Sequence, residues 1–91
     1  MTKNSMEMDL GDLKQTALGA CQHFMRPIAR LLLRMGISYK EFAEAAKIAF
    51  VDVASADYGL RGRPTNISRV AVMTGLTRKE VKKLRDLIAD Q

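Results

Sequence analysis

The chain has a single cysteine, Cys21, and no tryptophan. One thiol closes no internal disulfide and supplies no cysteine cluster for zinc, so a reducing, cytoplasmic setting is the simplest expectation. Aromatic residues make up only 5%, which leaves a core of aliphatic side chains, alanine and methionine. Two prolines and a charged fraction of 27% argue against a disordered, proline-rich or charge-dominated tail. No apolar run is long enough to span a bilayer, and the opening MTKNSMEMDL has no apolar signal core, so neither membrane insertion nor signal-directed export is expected. The lone histidine, His23, has no second histidine or carboxylate at ligand spacing, so no metal site is expected. No glycine-rich phosphate loop follows a strand and no nucleophile, base and orienting group assemble, so neither an enzyme nor a cofactor is expected.

What is present is a 91-residue chain that is 47% hydrophobic. A domain of that size buries only about 60–65% of its unfolded surface. One all-α domain over residues 9–91 is expected, with residues 1–8 as a flexible lead. The formal net charge of +5 is unevenly placed. Residues 1–60 hold seven Lys/Arg and seven Asp/Glu. Residues 61–91 hold eight Lys/Arg against Glu80, Asp86 and Asp90, so the whole excess of +5 falls in the last third. A localised basic surface is what a polyanion partner such as nucleic acid requires, although a solvated face produces the same count.

No stretch alternates with period two, whereas helical periodicity recurs throughout, and the pattern divides into about five helices. The first runs from about Leu10 to Phe24 behind Asp9, with the stripe Leu10, Leu13, Ala17, Cys21 and Phe24. Pro27 suits the first turn of a second helix, which carries Ile28, Leu31, Leu32 and Met35 and stops at Gly36. Ser38 and Glu41 form an S-x-x-E capping box that opens a third helix. It reaches about Tyr58, with Phe42, Ala45, Ala46, Ala49, Phe50 and Val53 facing inward. RGRPTN at 61–66 follows as a flexible loop. Thr65 or Asn66 then caps a fourth helix, Ile67–Thr74, which ends at Gly75. Thr77 and Glu80 form a second capping box for a fifth helix to about Ala89.

Two of these junctions echo each other at an offset of 39. Gly36-Ile37-Ser38-Tyr39-Lys40-Glu41-Phe42 aligns with Gly75-Leu76-Thr77-Arg78-Lys79-Glu80-Val81. A degenerate second helical hairpin, made by the second and third helices, would produce this. So would the ordinary chemistry of turning a corner between helices.

The segment at 65–89 has the parts of a helix-turn-helix. That motif needs a small residue where two helices cross, a glycine in the turn, and a branched apolar residue midway along the second helix. Ala71, Gly75 and Val81 stand in those roles, with Val70, Leu76 and Leu84 completing the core. Over these residues the chain resembles the helix-turn-helix DNA-binding superfamily. More closely, it resembles an uncharacterised bacterial domain family over about residues 24–85. The shared core is Arg61-Gly62-Arg63-Pro64-Thr65-Asn66, then Ser68-Arg69-Val70-Ala71, then Thr74-Gly75-Leu76-Thr77-Arg78-Lys79-Glu80-Val81. That resemblance implies a bacterial origin and carries no established activity.

If the motif binds double-stranded DNA, the first turns of the fifth helix enter the major groove. On a wheel of that helix Val81, Leu84 and Ile88 share one side, while Arg78, Lys79, Lys82 and Lys83 spread across the other. Thr77 precedes them as the cap. Thr65, Asn66, Ser68 and Arg69 open the fourth helix, whose N-terminus favours phosphate, and Arg61 and Arg63 reach backbone or minor groove from the loop. Asp86 lies on the same exposed face and opposes a phosphate. The expected function is therefore a DNA-binding regulator of transcription, or the DNA-binding part of a longer one. The alternative is a helical interaction or dimerisation module that does not bind DNA. Arg26, Arg30 and Arg34 read as a solvated stripe, and Cys21 as an inert core thiol. A homodimer built mainly on the first helix is a further expectation, with that helix acting as a lid on its own domain as the competing reading.

Overall fold

A computed structural model describes residues 9–60 and 62–90. The described chain is all-helical, with α1 at Leu10–Arg34, α2 at Tyr39–Asp57, α3 at Ile67–Thr74 and α4 at Arg78–Ala89. Among the described residues there are four helices and not five, because the first two expected helices are one. The chain forms two compact units, Met1–Ser38 and Tyr39–Gln91.

The first unit is α1, capped by the Asp9 carboxylate, which accepts from the Asp12 N–H at 2.8 Å. Pro27 lies inside this helix and not at the start of another. A proline there forfeits the hydrogen bond to the carbonyl four residues back and ordinarily costs about 3 kcal/mol. Both Pro27 and His23, whose carbonyl loses its partner, are exposed, so water can take the vacated position. The apolar phase also runs through Pro27 without a break: Cys21, Phe24, Ile28, Leu31 and Met35 step by three and four. That continuity is the signal that one helix, not two, is encoded. The helix ends in a left-handed stop. Gly36 has φ +78°, its N–H donates to the Leu33 carbonyl, and the Ile37 N–H donates to the Leu32 carbonyl at 2.9 Å. This paired closure is the Schellman arrangement. No residue of α1 is buried, and Cys21, expected in a core, is exposed.

The second unit packs α2, α3 and α4 pairwise. Its core is small and aliphatic: Val51 and Ala54 from α2, Val70 and Ala71 from α3, Val81 and Leu84 from α4. Ile48, Ile67, Leu76 and Ile88 close around them. Ala71 lacks the bulk that would hold α3 away from its neighbours, and Val81 fills the space opposite with no exposure at all. The boundaries of α3 and α4 fall where the caps and glycine place them. The face of α2 does not. The expected inward residues Phe50 and Val53 are 64% and 52% exposed, Ala45 and Ala49 are exposed, and Phe42 and Ala46 are half-buried. The helix instead buries Val51, Ala54 and Ser55. Both stripes have helical spacing, and α3 and α4 pack on the one holding Val51.

Candidate functional site

The loop between α2 and α3 is held by its own backbone and by one threonine. The Arg63 N–H donates to the Leu60 carbonyl at 2.9 Å, and Leu60 and Arg63 form an isolated antiparallel bridge. Gly62 supplies the positive φ (+78°) that this turn requires. At Gly59 the backbone passes so close to Arg63 that a Cβ would lie 1.8 Å from its carbonyl oxygen. The segment expected to be a flexible loop is thus tied down over its described residues; Arg61 lies outside them.

Thr65 is not at the surface. It is 5% exposed, its hydroxyl donates to the Ala54 carbonyl at 2.9 Å, and its N–H donates to the Ser55 carbonyl at 2.9 Å. Those carbonyls belong to the last turn of α2 and have no partner within that helix. Thr65 therefore caps α2 from the far side of the loop. The Arg85 guanidinium then donates to the Thr65 carbonyl, which takes one cation of the last third into a structural role. Beside them, the Ser55 hydroxyl is buried without a hydrogen-bond partner.

Asn66 caps α3. Its side-chain oxygen accepts from the Arg69 N–H at 2.8 Å, and the residue is exposed. Ser68 and Arg69, on the first turn of α3, are exposed, as is Arg63. At the other end Gly75 has φ +79° and donates to the Ala71 carbonyl. The Thr74 hydroxyl, bonded to the Val70 carbonyl at 2.8 Å, accepts from the Leu76 N–H. Thr77, exposed, caps α4 by accepting from the Glu80 N–H at 3.1 Å. The carboxylate of Glu80 turns to α2, where it meets Lys47 at 2.6 Å. Glu44 approaches the same ammonium at 3.3 Å. The hydrogen bond from Glu80, and then that from Glu44, hold the Lys47 pKa above the ordinary lysine value of 10.5.

Arg78, Lys79, Lys82 and Lys83 are all exposed on α4, opposite the buried Val81 and Leu84. Lys82 pairs with Asp86 at 3.4 Å, with both side chains about two-thirds exposed (67% and 68%). A pair so exposed contributes at most about 1 kcal/mol, so it holds Lys82 only loosely. Of the residues expected to meet DNA, the second unit thus presents Arg63, Asn66, Ser68, Arg69, Thr77, Arg78, Lys79, Lys82 and Lys83 to solvent. It withdraws Thr65. Ala71 is buried on α3, Gly75 has a left-handed φ at its end, and Val81 is fully buried on α4. The Lys47–Glu80 tie was missed because 33 residues separate the partners and no local pattern joins them.

Among the described residues no group of His, Cys, Asp or Glu is placed to hold a metal ion, and no helix is long and apolar enough to cross a membrane. The chain is in class an all-helical protein whose last unit presents a basic, solvent-facing helix. It belongs to a family of unknown function, DUF6502, which it matches over residues 15–90. No curated protein and no solved structure matches it. The matched span takes in most of α1 and all three helices of the second unit.

Proposed function

We propose that α3, the Gly75 turn and α4 form a helix-turn-helix that binds double-stranded DNA. On this reading the chain is a bacterial transcription regulator, or the DNA-binding part of a longer one. The observation that carries the proposal is the sorting of α4. Its apolar residues are consumed by the core, while Arg78, Lys79, Lys82 and Lys83 are all free of it, in the chain segment that holds the entire net charge. The first two turns of α4 would lie in the major groove. Arg63, Arg69 and the amide of Asn66 would take backbone phosphates beside the N-terminus of α3. Arg85, engaged on Thr65, takes no part.

Fluorescence anisotropy with a generic labelled duplex tests this directly. Wild-type protein should bind at low salt with log Kd rising steeply against log salt, the slope being about 3–4 if four phosphate contacts are made. Changing Arg78, Lys79, Lys82 and Lys83 together to Ala should abolish binding while leaving a cooperative unfolding transition. Undiminished binding by that folded variant would move the site off α4. Absence of wild-type binding at low salt would leave the helical interaction module as the function.

A further inference from the structure

Arg85 is the cation of α4 that the proposed DNA contacts leave unused. Its guanidinium donates to the Thr65 carbonyl; Arg85 is half-buried and Thr65 almost wholly so. Thr65 is fixed in turn, its hydroxyl donating to the Ala54 carbonyl and its N–H to the Ser55 carbonyl in the last turn of α2. Three hydrogen bonds thus string together the end of α2, the residue before the cap of α3, and α4. Position along the chain gives this joint its meaning. Thr65 lies ten residues before Gly75 and Arg85 ten residues after it. The Gly75 turn joins α3 and α4 at one end, and the Arg85–Thr65 bond ties the same pair again away from that turn. Between the two ties lie the apolar contacts of Val70, Ala71, Val81 and Leu84. Apolar packing is non-directional, whereas a guanidinium meeting a carbonyl is held in distance and angle.

We infer that Arg85 is a positioning residue for the DNA face: a strut between α4 and the start of α3 that sets where Arg63, Asn66 and Arg69 stand relative to the groove-facing cations of α4. The use of the strut rests on the DNA reading above; the strut itself does not. Arg63 lies two residues before Thr65 and Asn66 directly after it, and the Asn66 side chain holds the Arg69 N–H at 2.8 Å. All three therefore move with Thr65. The eight residues of α3 make a lever of about 12 Å, so a swing of about 10° at the turn carries its start by about 2 Å. An N–H···O bond holds only over a donor–acceptor range of about 0.5 Å, so such a swing takes the α3 start out of reach of a phosphate that α4 has fixed in register.

Two measurements on the full chain separate the strut from its use. In a Cys21→Ser background, spin labels on Ser68→Cys and Leu87→Cys, both exposed positions, read the separation of α3 and α4 without DNA. With Arg85 in place the distance distribution should be narrow; Arg85→Met should broaden it or shift it by about 2 Å. An unchanged distribution would overturn the strut. Should Arg85→Met lose its cooperative unfolding transition, the shorter, polar Arg85→Gln is read in its place. The second measurement is a mutant cycle on a generic labelled duplex. Arg63→Ala/Arg69→Ala in the wild-type chain should weaken binding roughly tenfold and lower the salt slope by about 1.8, the value of two phosphates. Arg85→Met alone should lower the slope as much, and in its background the Arg63/Arg69 pair should then cost less than about twofold. Lys79→Ala/Lys83→Ala should cost the same in both backgrounds. A full Arg63/Arg69 cost beside Arg85→Met would overturn the positioning role, and a slope lower by only about 0.9 would make Arg85 a direct phosphate contact. Absence of wild-type binding at low salt, with a label distance that responds to Arg85, would overturn the DNA reading and the positioning role together while leaving the strut.

Discussion

The two units of this chain are built from similar material and stabilised in opposite ways. α1 has 25 residues, a long apolar stripe and no buried side chain. The second unit draws on three shorter helices and buries six apolar residues, three of them valines with no exposure. The difference is one of partners and not of hydrophobicity. Leu10, Phe24 and Leu31 are larger than Val51, Val70 and Val81, yet the valines contribute to the unit's stability because α2, α3 and α4 each supply a face to the others. A stripe stabilises only when something covers it.

The largest effects should mark that contrast. Leu84→Ala in the second unit should cost about 2–5 kcal/mol, the usual range for a leucine removed from a core. Leu31→Ala in α1 should change the same transition by less than about 0.5 kcal/mol. Both tyrosines, Tyr39 and Tyr58, lie in the second unit, so urea unfolding followed by tyrosine fluorescence reads that unit alone. Equal costs for the two variants would erase the distinction.

The glycine stops sharpen it at the next level. Gly75 and Gly36 have nearly the same φ, +79° and +78°, and a Cβ at either meets no neighbouring atom within 4 Å. The cost of a side chain is therefore conformational, about 1–2 kcal/mol. Gly75→Val should show it in the tyrosine-detected transition, because its turn joins two helices of one core. Gly36→Val should leave that transition near the wild-type midpoint. Matching shifts would mean the α1 stop also supports the second unit.

The smallest effect concerns the Lys47–Glu80 tie. The Lys47 pKa is raised in the folded state, so its stabilising contribution is complete below the ordinary lysine value of 10.5. It is lost as pH rises through the higher folded value. Unfolding midpoints followed from neutral pH through the lysine titration should fall slightly more for wild type than for Lys47→Met. An identical alkaline profile would show that the ion pair adds nothing across α2 and α4.

The family match to residues 15–90 crosses both units, so neither is an appendage of the other in sequence terms. It assigns no chemistry, which leaves the basic face of α4 as the physical basis for a functional reading.

Several features were legible locally. Asn66 and Thr77 cap helices because their side chains reach backbone amides three residues ahead. Gly36 and Gly75 stop them because only glycine adopts positive φ at little cost. Ala71 and Val81, expected inside from their apolar positions on the last two helices, are both buried. The two junctions that look like repeats in sequence nevertheless close differently, since Ile37 adds the second bond of a Schellman stop, while at Gly75 a single bond to Ala71 suffices.

Sequence by itself therefore determined the helical class, the ends of α3 and α4, the residues at their turn, and the concentration of positive charge in the last third. Each of these depends on interactions spanning a few residues. Tertiary structure alone decided which of two apolar stripes on α2 enters the core, because both have the same period and only the arrival of α3 and α4 distinguishes them. It also decided that Thr65 is spent on the carbonyls of α2 and Arg85 on Thr65. A threonine beside a helix start and an arginine on an exposed-looking helix face carry no mark, in their own neighbourhood, of partners 10 to 20 residues away.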